Sequence, residues 1–203
     1  MKRFLFLNFL VILLFIGCNE KNTEQNLVQE KPITILIQPF SDMKNEEVKA
    51  IANKIKEIYP HIETLKPIDF PENSYYQPRN RYRADSIIKF LSSETENGFV
   101  KLGLTSKDIS VTKGKNPDFG VMGLGYRPGK ACVASTFRLN KNNKDSQFYK
   151  VAIHELGHTQ GLPHCLEKTC FMRDAEGGNP TDELKEFCKK CKAHLQSKNW
   201  KLS

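Results

Sequence analysis

The sequence lacks several features that define whole classes of protein. Its 203 residues contain no internal repeat, which argues against a solenoid or a propeller. Its apolar run at residues 4–16 is too short for a comfortable membrane span. The net charge of +8 is spread over lysines along the chain, without an arginine-rich cluster. A nucleic-acid partner is therefore not expected.

The length and the apolar content of the chain are compatible with one domain of ordinary size. The chain is 39% apolar, which is enough to build a packed core in about 170 residues. We place this domain at residues 32–203 and expect it to be a monomer.

The segment His154-Glu155-Leu156-Gly157-His158 is the most informative part of the chain. On a helix, His154 and His158 lie one turn apart on one face, so both imidazoles can bind one metal ion. Glu155 projects about 100° away from that pair. It can therefore act as a general base on the attacking water without binding the metal itself.

The residues that follow supply a third ligand. Gly161 can adopt the left-handed conformation that ends a helix, and Pro163 cannot continue one. The reversed chain then brings His164 to the metal. Three imidazoles leave one position of a tetrahedral zinc ion open, as in catalytic zinc sites. A chance His-Glu-x-x-His on an amphipathic helix is the alternative, but it does not explain the glycine and the third histidine.

Four cysteines downstream predict a second metal site. Cys165, Cys170, Cys188 and Cys191 form two pairs, and four thiolates suit a closed structural zinc site. We expect the second pair to lie on a helix at residues 181–196. Two disulfides are the alternative, since thiols tend to oxidise outside the cytoplasm.

Together these motifs resemble the archaemetzincins over residues 154–191, through the extended histidine motif, the cysteine spacing and a Cys-x-Met. The resemblance implies a zinc metallopeptidase with two Zn²⁺ ions that acts on peptides or proteins. It also implies that Met172 forms the floor beneath the catalytic zinc. Some metzincins carry a tyrosine shortly after this methionine, whereas this chain continues Arg173-Asp174.

The resemblance implies an α/β (α+β) zincin fold, with a mixed twisted sheet, an active-site helix and a short C-terminal subdomain around the structural zinc. Upstream periodicity fits this order. One predicted helix follows Arg81-Tyr82-Arg83-Ala84 and ends near Leu91. We further predict a strand at 33–40, a helix at 44–58 and strands at 100–105, 119–126 and 131–139. We place the edge strand of the cleft at 119–126, where an extended peptide could pair with it.

The first residues predict an export signal. Lys2 and Arg3 precede the apolar run, and Phe15-Ile16-Gly17-Cys18 resembles a bacterial lipobox. Residues 1–17 would be removed, Cys18 would carry the lipid, and 18–31 would be a disordered tether to an envelope membrane. An uncleaved N-terminal anchor is the alternative.

The sequence thus predicts a lipid-anchored zinc metallopeptidase of the bacterial cell envelope. The alternatives are a zinc-dependent peptide-binding lipoprotein with little turnover and a structural lipoprotein with a vestigial site. Three remaining side chains receive ordinary roles. We interpret Cys132 as a buried core thiol, and His61 and His194 as surface or capping residues.

Overall fold

A computed structural model describes residues 31–203. The predicted signal segment at 1–17, the lipidation residue Cys18 and the tether up to residue 30 lie outside these described residues. None of the helices within 31–203 combines the length and the apolar character that a bilayer-crossing helix needs.

The described chain forms nine strands and four α-helices, with two short 3₁₀ turns between β2 and β4. In chain order they are β1 (Thr34–Pro39), α1 (Asn45–Ile58), β2 (Ile62–Thr64), β3 (Tyr75–Tyr76), β4 (Arg81–Arg83), α2 (Ala84–Ser93), β5 (Phe99–Thr105), β6 (Ile109–Lys113), β7 (Asn116–Val121), β8 (Gly123–Gly125), β9 (Ala131–Ser135), α3 (Lys144–Thr159) and α4 (Lys189–Gln196).

The strands form two sheets. The larger sheet has the order β2-β1-β5-β9-β8, in which β8 alone runs antiparallel to its neighbour. The smaller sheet has the order β3-β4-β6-β7. The fold is therefore a mixed α/β arrangement, as the sequence predicts.

Helices cover both faces of the larger sheet. Alternate residues of β9 show this division, because Cys132 and Ala134 join the core beneath α1 and α3. Ala131 and Val133 instead join the core beneath α2. Each face buries aliphatic side chains of the parallel strands, which explains why these strands appear as nearly continuous apolar runs.

Most predicted elements are confirmed, but two of the strand predictions are wrong in extent. The predicted strand at 119–126 is two strands in different sheets, because the chain crosses from β7 to β8 at Met122. Both pieces are apolar, so periodicity alone cannot show the crossing. The predicted strand at 131–139 ends at Ser135, where the backbone turns and Leu139 N–H bonds to Thr136 O at 3.2 Å.

The predicted helix at 181–196 is also too long. Only Lys189–Gln196 is helical, and Cys188 is the residue before its first turn. Thr181, Leu184 and Phe187 are buried at three-residue spacing, which imitates a helix. Their backbone instead pairs with the preceding loop, since Lys185 N–H bonds to Thr169 O at 2.8 Å and Phe171 N–H bonds to Glu186 O at 2.9 Å.

Candidate active site

The helix α3 carries the first two histidines and ends as the sequence predicts. Gly161 has φ +97°, in the left-handed region that glycine tolerates. Its N–H bonds to His158 O at 2.8 Å, and Leu162 N–H bonds to Gly157 O at 3.0 Å. This pair of bonds is a Schellman end, which reverses the chain and returns His164 to the helix.

The three imidazoles converge on one point. Nε2 of His158 and Nε2 of His164 are 3.2 Å apart, and the ligand atoms of all three histidines lie within 4.8 Å of one another. Two nitrogens bound to one tetrahedral zinc are separated by about 3.3 Å, given Zn–N bonds of roughly 2.0–2.1 Å. The donor set therefore fits zinc, with the partly exposed His164 on the open side.

Backbone carbonyls orient the two helical histidines. Nδ1 of His154 donates to Phe171 O at 2.6 Å, and Nδ1 of His158 donates to Leu162 O at 2.8 Å. Each bond leaves Nε2 free to bind a metal. Burial lowers the pKa of His154 to about 3 and also lowers the pKa of His158, so both rings are neutral ligands at physiological pH.

A carboxylate orients the third histidine. Nδ1 of His164 lies 3.1 Å from Oδ2 of Asp174, so this ring also presents Nε2 to the shared point. The sequence analysis did not identify Asp174 as a site residue. Its position two residues after Met172, in the loop that returns to the histidines, was the only available signal.

Glu155 lies against the edge strand β8. A Cβ atom built on Gly123 would lie 2.5 Å from Oε1 of Glu155, and one on Gly125 would lie 2.8 Å from the Glu155 carbonyl oxygen. Only glycine leaves enough room at these two positions. The Gly-x-Gly pattern was the signal in the sequence for this close approach, and the sequence analysis missed it.

The same two glycines present free backbone groups to the cleft. Ser135 N–H bonds to Met122 O at 2.8 Å, and Tyr126 N–H bonds to Ala131 O at 3.2 Å. Hydrogen-bonded positions alternate along an antiparallel strand, so Leu124 pairs with β9 while Gly123 and Gly125 point their N–H and C=O groups outward. The outer edge of β8 can therefore accept another strand.

Met172 is packed against α3 at the histidine motif. Its side chain is fully buried, and a Cβ atom on Gly157 would lie 2.6 Å from the Met172 sulfur. The glycine in the His-Glu-Leu-Gly-His segment is thus the residue that lets the methionine pack against α3.

The four cysteines also converge. Their sulfur atoms lie within 4.8 Å of one another, and those of Cys165 and Cys188 are 3.7 Å apart. Two sulfurs on a tetrahedral zinc are separated by about 3.8 Å, given Zn–S bonds of roughly 2.3 Å, whereas bonded sulfurs are about 2.05 Å apart. The geometry fits a zinc site, and all four are free thiols here.

Main-chain contacts join the two clusters. Met172 N–H and Cys188 N–H both point at the sulfur of Cys170, at 3.4 and 3.3 Å, as suits a thiolate. Cys165 N–H bonds to Met172 O at 2.8 Å. The cysteine cluster therefore fixes the loop that carries Met172 beneath α3.

The other predicted roles are borne out by the contacts. Cys132 is fully buried in the sheet. His194 caps the end of α3, because its Nε2 lies 2.8 Å from Gln160 O. His61 is exposed and packs edge-on against Tyr59.

The histidines and Glu155 line a cleft of about 500 Å³ between β7, β8, α3 and the loop after Met172. Apolar walls come from Phe119, Val121 and Leu184. No tyrosine is among the lining residues within 31–203, so this wall does not provide the tyrosine found in some metzincins.

Comparison with known proteins identifies similar sequences and structures. Residues 45–197 match peptidase family M54. An archaemetzincin of Methanocaldococcus jannaschii is 33% identical over 180 residues, which cover 83% of this chain and 96% of that protein. An archaemetzincin of Archaeoglobus fulgidus is 33% identical over 169 residues, which cover 80% of this chain and 98% of that protein.

Two crystal structures match as well. The archaemetzincin of A. fulgidus complexed with malonate has a TM-score of 0.69 and 29% identity, covering 80% of this chain and 99% of that chain. The archaemetzincin of Methanopyrus kandleri has a TM-score of 0.70 and 25% identity, covering 85% and 98%.

Proposed function

This chain belongs to the archaemetzincins, peptidase family M54, and is therefore a zinc metallopeptidase, for which we propose a mechanism with Glu155 as the general base. His154, His158 and His164 would hold the catalytic zinc. When bound, this ion supplies Lewis acidity, which makes the attacking water more acidic and polarises the scissile carbonyl.

The substrate would bind by adding a strand to β8. The outward N–H and C=O groups of Gly123 and Gly125 would pair with an extended peptide. This pairing would place a peptide carbonyl beside the imidazoles, because both glycines contact Glu155 in the same cleft.

Glu155 would move the proton. Burial raises the pKa of Glu155 to about 8, so its ionised carboxylate is a stronger base than an ordinary exposed glutamate. It would accept the proton of the attacking water and donate it to the leaving amine. The observation that carries this proposal is that Glu155 lies against β8 and lines the same cleft as the three converging histidines.

Glu155→Gln tests the proposal. The variant keeps the shape of the side chain and removes the base, so hydrolysis should fall by a factor on the order of 10²–10⁴ while zinc content is unchanged. Cleavage of a mixed peptide pool is compared at matched zinc occupancy. Glu167→Gln is the control, because Glu167 is exposed outside the cleft. Equal cleavage by Glu155→Gln and wild type would refute the mechanism, and no cleavage by either would favour a peptide-binding protein.

We also propose that the four cysteines hold a second, structural zinc ion. The 3.7 Å separation of the Cys165 and Cys188 sulfurs supports this assignment.

The histidine and cysteine clusters come from one chain, which supports an active monomer within residues 32–203. Light scattering of the purified protein tests the monomer.

The location proposed for the enzyme is a lipid-anchored position at a bacterial envelope membrane. It rests on the sequence alone: Lys2 and Arg3, the apolar run and the Gly17-Cys18 junction. Cys18→Ala should abolish lipid attachment, because the lipid needs that sulfur, whereas Asn22→Ala should not. Metabolic labelling with a fatty-acid analogue measures the difference, and equal labelling of wild type and Cys18→Ala would exclude the lipid anchor.

A further inference from the structure

The end of α3 receives two hydrogen bonds from distant parts of the chain. The last carbonyl groups of a helix have no partner within the helix and need one from outside it. The Schellman end serves two of these carbonyls through the adjacent backbone. Gly129 N–H bonds to Thr159 O at 3.2 Å, and Nε2 of His194 donates to Gln160 O at 2.8 Å. His194 is thus a side-chain cap that α4 supplies to α3.

The capped turn carries the geometry of the histidine site. His158 lies in the last turn of α3, and His164 follows the reversal at Gly161. The ring of His194 packs beside this reversal, since a Cβ atom built on Gly161 would lie 3.8 Å from its Nε2. Without a donor to Gln160 O, the last turn opens more easily and its ligands are less well fixed. Zinc binding then weakens, because fewer molecules have the ligands in place.

The helix that presents His194 is anchored by the cysteine cluster. The helix α4 has eight residues, which are too few to be stable in isolation. Cys188 precedes its first turn, and its buried residues are Cys191 and Leu195. Two of the four cysteines therefore hold the start of α4, while Leu195 holds its end in the core. An ion bound to the four sulfurs would fix the start of α4 and, through it, the position of His194.

We propose that His194 couples the two metal sites. An ion at the four cysteines fixes α4, His194 then caps α3, and the histidine site binds zinc more tightly. His194 is a positioning residue in this scheme, because it acts through Gln160 rather than on an ion or a substrate. The inference rests on the two proposed zinc sites and does not depend on peptide cleavage.

The first test measures the zinc affinity of the histidine site in the full chain, with the cysteine site loaded. Competition with a fluorescent chelator gives the dissociation constant. His194→Phe keeps a ring and removes the donor, so the affinity should fall by about 3- to 10-fold. His194→Gln still has an N–H that can donate to Gln160 O, and it should recover most of the affinity. Equal affinities in wild type and His194→Phe would overturn the inference.

A control variant and a spectrum separate positioning from a general loss of stability. Ile88→Val removes one methylene group from the core beneath α2, on the opposite face of the larger sheet, and should lower only the melting temperature. With Co²⁺ in the histidine site and Zn²⁺ in the cysteine site, visible absorption reports the ligand geometry. His194→Phe should alter this spectrum and His194→Gln should restore it, whereas an effect of Ile88→Val equal to that of His194→Phe would contradict a positioning role.

A double-mutant cycle tests the coupling itself. The affinity of the histidine site is compared in wild type, His194→Phe, Cys188→Ser and the double variant at low temperature. If His194 transmits the effect of the cysteine site, the loss caused by His194→Phe should be smaller in the Cys188→Ser background. Equal losses in both backgrounds would refute the coupling. If Cys188→Ser does not fold, Cys188→His takes its place in the cycle, since imidazole is also a zinc ligand.

Elemental analysis distinguishes failure of the inference from failure of the proposed sites. A cysteine site that holds zinc, together with equal affinities in wild type and His194→Phe, refutes the inference alone. A wild type with no ion at the cysteines refutes the structural zinc site and the coupling with it, while the proposed hydrolysis stands.

Discussion

The histidine cluster and the cysteine cluster are adjacent, yet their ligands are held in different ways. Two of the three histidines lie on the packed helix α3, and their rings donate to main-chain carbonyls. The four cysteines lie on loops and at the start of α4, where the surrounding backbone pairs only through isolated bridges such as Cys170 with Glu186.

This difference indicates how strongly the structure of each cluster depends on a bound metal ion. The helix holds its histidines through the core of the larger sheet, so that arrangement does not require an ion to form. The loops around the cysteines bury fewer apolar side chains, so a tetrahedral ion would supply much of their stability. We therefore expect loss of the cysteine site to affect folding and loss of the histidine site to affect chemistry.

The largest expected effect is the loss of stability when a ligand of the cysteine cluster is removed. Cys170→Ser removes the most buried ligand, 1% exposed, and two N–H groups lose their sulfur acceptor. Losing a structural zinc costs several kcal/mol, so the melting temperature should fall by about 10 °C or more. Calorimetry measures the melting temperature of Cys170→Ser. The control is Thr169→Ala, which changes an exposed neighbouring residue. An unchanged melting temperature would mean that the cysteines hold no structural ion.

A smaller effect on stability is expected on the histidine side. His158→Ala should reduce the zinc content from two ions to one per chain and abolish peptide cleavage. Its melting temperature should lie slightly below that of wild type whose labile zinc has been removed by a chelator, since the buried ring and its hydrogen bond to Leu162 O are lost together with the ion. Elemental analysis and calorimetry check both values. If His158→Ala melts as low as Cys170→Ser, the division into catalytic and structural sites is wrong.

The smallest effect is expected outside the ligands themselves. Asp174→Asn removes the charge that orients His164, so zinc affinity at the histidine site should fall by about 10-fold with the fold unchanged. Competition with a fluorescent chelator measures the affinity, and Asp69→Asn, exposed and away from the cleft, is the control. Equal affinities in the two variants would show that Asp174 does not support the ligand.

The residues that the sequence groups as candidate ligands converge in the structure, whereas several elements around them differ from their predicted bounds. The ligand residues are close together in sequence, and helix geometry alone relates His154, Glu155 and His158. The predicted helix at 181–196 was wrong because burial at Thr181, Leu184 and Phe187 came from docking onto a neighbouring loop. The smaller sheet was not predicted, because β3 and β4 have only two and three residues and the predicted strand at 119–126 merged part of β7 with β8.

Local chemistry was therefore determined by the sequence alone: the histidine pair on one helical face, the glycine that ends α3, and the pairing of cysteines by spacing. Each of these depends on residues a few positions apart, where backbone geometry leaves few choices. Tertiary structure alone decided that Gly123 and Gly125 would meet Glu155 and that Asp174 would orient His164. Those contacts join segments that lie between 10 and 32 residues apart in the chain, and only packing brings them together.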